Sequence, residues 1–188
     1  IKVVNDSYAS NQNLVDLSQS ENMISVLWGD AVSSDLKLTN YTHDLALIDS
    51  FTAFSSSEGS DSGIGEIVHS ASKSYLFTTV KLQNQTNGNQ IVFREVSSES
   101  DTPLFTLDLE NVYGNLLSTS LTSEAVALVT YLRQTSDGWD VFVSKVDLST
   151  GTVLSENRGN FNVSGNQVDP KLTSLSDGRT LLTWSESS

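Results

Sequence analysis

Residues Asn166 to Trp184 read NQVDPKLTSLSDGRTLLTW. A strand-like run leads into Asp177-Gly178, a pair that tolerates the backbone angles of a tight turn. A second strand follows and closes on a tryptophan. The second half of this stretch recurs upstream. Ser20-Glu21-Asn22 precedes MISVLW, Ser72-Lys73-Ser74 precedes YLFTTV, and Ser123-Glu124-Ala125 precedes VALVTY, as Ser176-Asp177-Gly178 precedes RTLLTW. The serines at 20, 72, 123 and 176 are 52, 51 and 53 residues apart. Eight residues beyond each serine stand Trp28, Val80, Tyr131 and Trp184.

The repeated strands are apolar on both faces. Ile24, Val26 and Trp28 alternate with Met23 and Leu27, and Val126 and Leu128 alternate with Ala127, Val129 and Tyr131. A strand with one wet face alternates cleanly between apolar and polar, whereas two apolar faces require burial between layers. An inner strand of a propeller blade meets that requirement. The rest of each period supplies further strands: Trp139 to Asp147 before the turn Leu148 to Gly151, then Thr152 to Leu154; Gln90 to Val96; and Leu104 to Leu109 after the break at Pro103. Leu36 to Leu38 and Leu45 to Ile48 are weaker counterparts in the first period. Ser55 to Gly65, Ser97 to Thr102 and Ser155 to Gly165 read as polar linkers, and Glu110 to Thr119 has a weak helical look.

The expected fold is therefore all-β, a propeller-like array of about 52-residue four-stranded repeats with three full and a partial fourth. Residues 1–188 form one repeat domain. Three and a half blades do not close an ordinary ring, so blades from outside this stretch, a second copy or open stacking must complete it. Ile1 to Val4 is a candidate partner for the unpaired strand at the end of the chain. The opening IKVVNDSYAS lacks an initiator Met and the features of a signal peptide, which suggests a segment cut from a longer chain or a mature product.

Charge and composition narrow the function. The formal net charge is −13, from 23 acidic and 10 basic residues. Such a surface repels nucleic acid and anionic membranes and attracts cations such as calcium. There is no run of about 18 apolar residues to insert into a membrane as a helix. Cysteine is absent, which excludes disulfides, thiolate metal sites and cysteine nucleophiles.

In order, Asp137-Gly138, the strand Val141 to Asp147, Gly151, Asn162-Val163, Gln167-Val168-Asp169-Pro170, Leu175-Ser176-Asp177-Gly178 and Trp184 resemble a repeat of large secreted bacterial RTX-type adhesins and related calcium-dependent surface proteins. The match spans Asp137 to Trp184, and none of the upstream repeats keeps the Gln-x-x-Pro element. The resemblance implies an extracellular, cell-surface adhesion module and carries over no catalytic residue.

Candidate chemistry is sparse. Calcium ligands are sought at Glu58 and Asp61, and at Asp137 with Asp140; each pair supplies only part of the six to eight oxygens calcium takes. His43 and His69 are the only histidines and do not form a zinc motif. No nucleophile elbow is present for the abundant serines. Trp28, Tyr131 and Trp184 read as packing between blades, while Trp139, beside a turn, is the candidate for stacking on a sugar. The expected function is a non-enzymatic extracellular module that recognises glycan or protein on a target surface. A propeller-type carbohydrate-active enzyme, and an assembly unit completed by another chain, are the alternatives.

Overall fold

The computed structural model describes residues 12–30, 33–55, 60–81, 90–96, 104–109, 112–161 and 164–187. Ile1 to Val4, Glu58, Pro103 and Asn162-Val163 lie outside them. The described chain is all-β. The first blade is β1 (Gln12–Gln19), β2 (Ile24–Asp30), β3 (Leu36–Tyr41) and β4 (Leu47–Phe54). The second is β5 (Ser60–His69), β6 (Ser74–Lys81), β7 (Gln90–Glu95) and β8 (Phe105–Thr106). The third is β9 (Val112–Ser123), β10 (Val126–Thr135), β11 (Gly138–Asp147) and β12 (Val153–Arg158), and the fourth holds β13 (Asn166–Ser174) and β14 (Thr180–Ser187). Each sheet is antiparallel and pairs its strands in chain order.

The turns explain why consecutive strands pair. Gly138, Gly151 and Gly178 take φ values of 133°, 73° and 82°, which a side chain disfavours. At Gly151 the loop is also held by Asp147, whose Oδ1 accepts from the Ser149 and Thr150 amides at 2.8 and 3.1 Å. The expected turn at residues 148–151 is therefore present.

Blades pack through two apolar layers. Leu27, Leu36, Leu38 and Phe54 of the first blade meet Ile67, Leu76 and Val92 of the second. Phe77 and Phe93 of the second, stacked with ring centres 4.9 Å apart, meet Leu117, Val129 and Tyr131 of the third. Burial of this kind is worth roughly 25 cal/mol per Å² of apolar surface removed from water.

The strand nearest the axis is the first of each blade: β1 packs on β5, β5 on β9 and β9 on β13. The repeated apolar strands β2, β6, β10 and β14 are second from the axis, not innermost. In β6 the two apolar faces arise because neighbouring blades cover both sides, Tyr75 and Phe77 meeting the third blade and Leu76 and Val80 the first. Two stretches that read as linker and weak helix hold the axial strands β5 and β9. The reason is visible at Gly65: an added Cβ would stand 3.0 Å from Leu27 Cδ2 and 3.1 Å from both Leu76 Cδ1 and Phe77 O. Close approach at the axis selects small residues, and a small-residue strand looks like a loop.

Pairing also corrects the repeat alignment. Ser20 and Ser70, rather than Ser72, occupy equivalent hairpin positions, their amides donating to Met23 O and Lys73 O at 2.9 and 2.8 Å. The counterpart of Trp28, Tyr131 and Trp184 in the second blade is thus Thr78, not Val80.

Candidate functional site

The axial strands carry a ring of polar side chains at equivalent positions. Asp16 Oδ2 accepts from the Ile67 amide at 2.8 Å. Glu66, one residue before Ile67, accepts at Oε2 from Thr119 N at 2.5 Å and from Thr119 Oγ1 at 3.0 Å. Ser118, one residue before Thr119, accepts at Oγ from Leu172 N at 3.1 Å. Lys171, one residue before Leu172, completes the series and places its Nζ 3.5 Å from Glu66 Oε1. Each of the first three axial strands thus presents one side chain to the backbone of the next.

Within this ring Glu66 is a partly buried carboxylate with donors on both oxygens. Its side chain is 19% exposed. Burial pushes its carboxyl above the ordinary 4.5, the Thr119 bonds and Lys171 pull it back, and the nearby Asp16 charge adds to the rise. Oε2 is engaged by Thr119, while Oε1 faces Lys171. Asp16 is held by the amides of Leu17 and Ile67, both at 2.8 Å. Four backbone and hydroxyl donors therefore orient two carboxylates from adjacent axial strands.

Above the ring, at the C-terminal ends of the axial strands, lies a cleft of about 280 Å³. Thr119, the partner of Glu66, is one of its walls, with Ser18, Ser120 and Ser174 contributing hydroxyls. Ser120 Oγ and Ser174 Oγ are 2.5 Å apart. His69 borders the cleft; its Nδ1 lies 2.7 Å from Ser74 Oγ, and its Nε2 has no hydrogen-bond partner among the described residues. Burial pushes the imidazole below its ordinary value and the Asp16 charge opposes that shift.

The residues singled out from sequence fall elsewhere. Asp140 is fully buried and paired with Arg158, and it accepts from Thr135 Oγ1 and Asn160 Nδ2, each at 2.7 Å. With its amide nitrogen turned toward them, Gln167 donates to Asp140 Oδ1 and Trp139 O at 2.9 Å. A calcium ion at Asp140 would therefore have to displace Arg158. Asp137 is exposed in the adjacent turn, and its amide lies 3.3 Å from Thr135 Oγ1. Asp61 lies in β5 and Glu58 outside the described residues. No cluster of three metal-binding side chains occurs among the described residues. Trp139 is half-buried at the junction of the third and fourth blades, its amide 3.1 Å from Asn166 Oδ1. Its ring does not border the axial cleft. His43 stands apart from His69, with Nε2 3.2 Å from Ser20 O.

Sequence reasoning missed Asp16 and Glu66, yet a signal was present. Each stands four residues before a hairpin serine, Ser20 and Ser70, and Lys171 stands four before Leu175 at the corresponding turn.

No family model and no curated protein matches the chain. Solved structures do. An endo-arabinase from Bacteroides thetaiotaomicron superposes with a TM-score of 0.59 at 13% identity, over 94% of this chain and 70% of that one. A thermostable family-43 glycoside hydrolase gives 0.53 at 12% identity, and an α-L-arabinofuranosidase from Lactobacillus brevis gives 0.51 at 10% identity. Each of these two is matched over 89% of this chain, which spans 63% of its length.

At these identities the likeness shows the fold: four-stranded antiparallel blades resembling part of a glycoside-hydrolase propeller. It also corrects the resemblance to RTX-type adhesin repeats. The solved structures that share the architecture are named as glycoside-processing enzymes, so the expectations of an adhesion module and of a non-enzyme are overturned with it. The physical reason is plain. The Asp-Gly turns, the alternating strand and the closing tryptophan are what a four-stranded blade needs, and they report the blade rather than an adhesin.

Proposed function

We propose that this chain is a carbohydrate-active propeller that cleaves a glycosidic bond at the axial cleft, with Glu66 as proton donor and Asp16 as the second carboxylate. One observation carries the reading: two carboxylates from adjacent axial strands stand in the axial ring, where Thr119, the partner of Glu66, walls an open polar cleft, and burial raises the Glu66 carboxyl above its ordinary value. Glycoside hydrolysis commonly uses such a pair, one acid to protonate the departing oxygen and one carboxylate to assist attack at the anomeric carbon. The fold shared with an endo-arabinase, a family-43 glycoside hydrolase and an α-L-arabinofuranosidase supports carbohydrate as the substrate class.

In this reading Glu66 gives its proton to the leaving glycosidic oxygen. Lys171, beside Oε1, then steadies the carboxylate that results. Asp16, fixed by two amides, is the second carboxylate and assists the attack by which water replaces the departing oxygen at the anomeric carbon. The serine and threonine hydroxyls of the cleft wall hydrogen-bond the sugar hydroxyls.

The test is release of reducing ends from arabinan, arabino-oligosaccharides and xylan. Glu66→Gln is expected to lower kcat about 10²–10⁴-fold, the usual contribution of a general acid. Full activity in Glu66→Gln overturns the assignment of Glu66, and no release from any substrate by the folded wild type overturns the hydrolase reading.

A further inference from the structure

Between the second and third blades the apolar layer opens to the surface in a cleft of about 440 Å³. Tyr75, Phe105, Ala125 and Leu148 give it hydrocarbon walls. Tyr75 and Leu148 are buried, Phe105 is half-buried and Ala125 is exposed. The cleft shares no wall residue with the axial cleft. Its volume lies in the range of about 300 to 1,000 Å³ usual for small-ligand sites. The corresponding gap between the first and second blades is walled by polar residues, among them Ser20, Glu21, Asn22 and Ser70.

The walls are fixed by contacts already made. The Phe105 ring stacks on Phe93 with centres 5.1 Å apart. It also lies against the Gly151 turn, where an added Cβ would stand 2.7 Å from Phe105 Cδ1. Leu148 N donates to Ala125 O at 2.9 Å and ties two more wall residues together. A cleft held in this way needs little reordering when a ligand enters.

Three charged side chains also line the cleft: Lys73, Glu95 and Glu124. Lys73 Nζ is 2.7 Å from Glu95 Oε2, so those two charges offset each other. Glu124 stands exposed in the hairpin between β9 and β10, with no ion-pair partner among the described residues. Its charge reaches Tyr75, whose hydroxyl is raised above its ordinary value by burial first, with Lys73 opposing and the two glutamates adding. The one charge on the walls that nothing offsets is therefore negative, and it stands beside apolar surface.

We infer that this cleft binds a primary amine with an apolar body, its hydrocarbon against Tyr75, Phe105 and Leu148 and its ammonium group on Glu124. Apolar walls favour the hydrocarbon by removing it from water. Glu124 favours the ammonium through a charge-assisted hydrogen bond and repels a carboxylate or phosphate. The net charge of −13 adds long-range attraction for a cation. The site stands apart from the glycosidic chemistry proposed above and does not depend on it.

Calorimetric titration of the full chain with phenethylamine tests the inference, with phenethyl alcohol, methylamine and phenylacetate alongside. The amine is expected to bind saturably. Phenethyl alcohol has the same apolar body without the charge and should bind about tenfold more weakly. Methylamine and phenylacetate should not bind measurably. Glu124→Gln changes an exposed side chain at constant size. It should leave the melting temperature unchanged and lower the amine's affinity to that of the alcohol. Ala125→Trp, made in the same exposed hairpin, fills the cleft and should remove binding of both. Equal affinity of the wild type for amine and alcohol overturns the assignment. Methylamine binding as tightly as phenethylamine reports attraction to the acidic surface alone and overturns it too. So does amine binding that survives Ala125→Trp, or the absence of saturable amine binding by the wild type.

Discussion

The third blade and the fourth carry the same aromatic position, and only one of them is covered. Tyr131 is wholly buried, while Trp184 is 37% exposed. Both stand on the second strand from the axis, one residue beyond the residue paired with the axial polar group. The difference lies outside the strand. In the third blade β11 and β12 follow, and the Tyr131 hydroxyl donates a hydrogen bond to Glu156, with Ser144 Oγ 3.0 Å away. Among the described residues no strand covers the far edge of β14, and Leu181 is exposed with Trp184. A repeated residue is thus a core residue only where the rest of its blade is in place.

The largest expected effect separates these two residues. Tyr131→Ala removes a buried ring and leaves Glu156 without its phenol, and should cost about 3–5 kcal/mol in urea unfolding. Trp184→Ala should cost well under half of that. Equal losses would mean that Trp184 is covered in solution, and would break the comparison. Next comes the seam between the two blades. Asp140→Asn keeps the shape but removes the charge that Arg158, Thr135 and Asn160 engage, at about 1.5–3 kcal/mol.

The same variant has a pH signature. Burial raises the Asp140 pKa, but the bonds from Arg158, Thr135 and Asn160 outweigh it and hold the carboxyl below its ordinary 3.8. Its stabilisation is therefore present above that ordinary value and lost as the pH falls through the lower folded value. Asp140→Asn should lose less stability on acidification than the wild type, measured as urea midpoints across the acid range. The smallest effect is expected at Gly159, where an added Cβ would stand 2.6 Å from Leu182 Cδ2 and 3.4 Å from Val141 Cγ1. Gly159→Ala pushes β14 away from the third blade. Because the nearest atom is the tip of a flexible side chain, about 1 kcal/mol is expected.

Much of the blade was legible in the sequence, and the reason is the physics of the second strand. Val126 to Tyr131 must be apolar on both faces, and the turns at Gly151 and Gly178 need positive φ, so both leave a mark in any reading. The axial strands leave almost none. Gly65 is small because Leu27 and Leu76 stand against it, and that constraint comes from residues 38 positions before it and 11 after it. Glu66 therefore stood directly after what looked like linker, and the candidate carboxylates were sought in exposed loops. Asp140 misled in the opposite way. Its place beside an Asp-Gly turn suggested a metal ligand, but the Gln167 to Pro170 stretch bends β13 so that Gln167 is buried against it. The motif that suggested an adhesin thus has a local use: Asp169 takes φ 53° in the bulge, and the bulge aims Gln167 inward.

The axial ring also has a direction. Asp16 receives an amide of the second blade, Glu66 an amide of the third, and Ser118 an amide of the fourth. The acceptor always belongs to the earlier blade and the donor to the later one. On a ribosome, where the chain emerges from its N-terminus, every such amide is made after the side chain that will receive it. Each finished blade therefore waits with its acceptor already in place, and the ring can be assembled in the order in which it is translated.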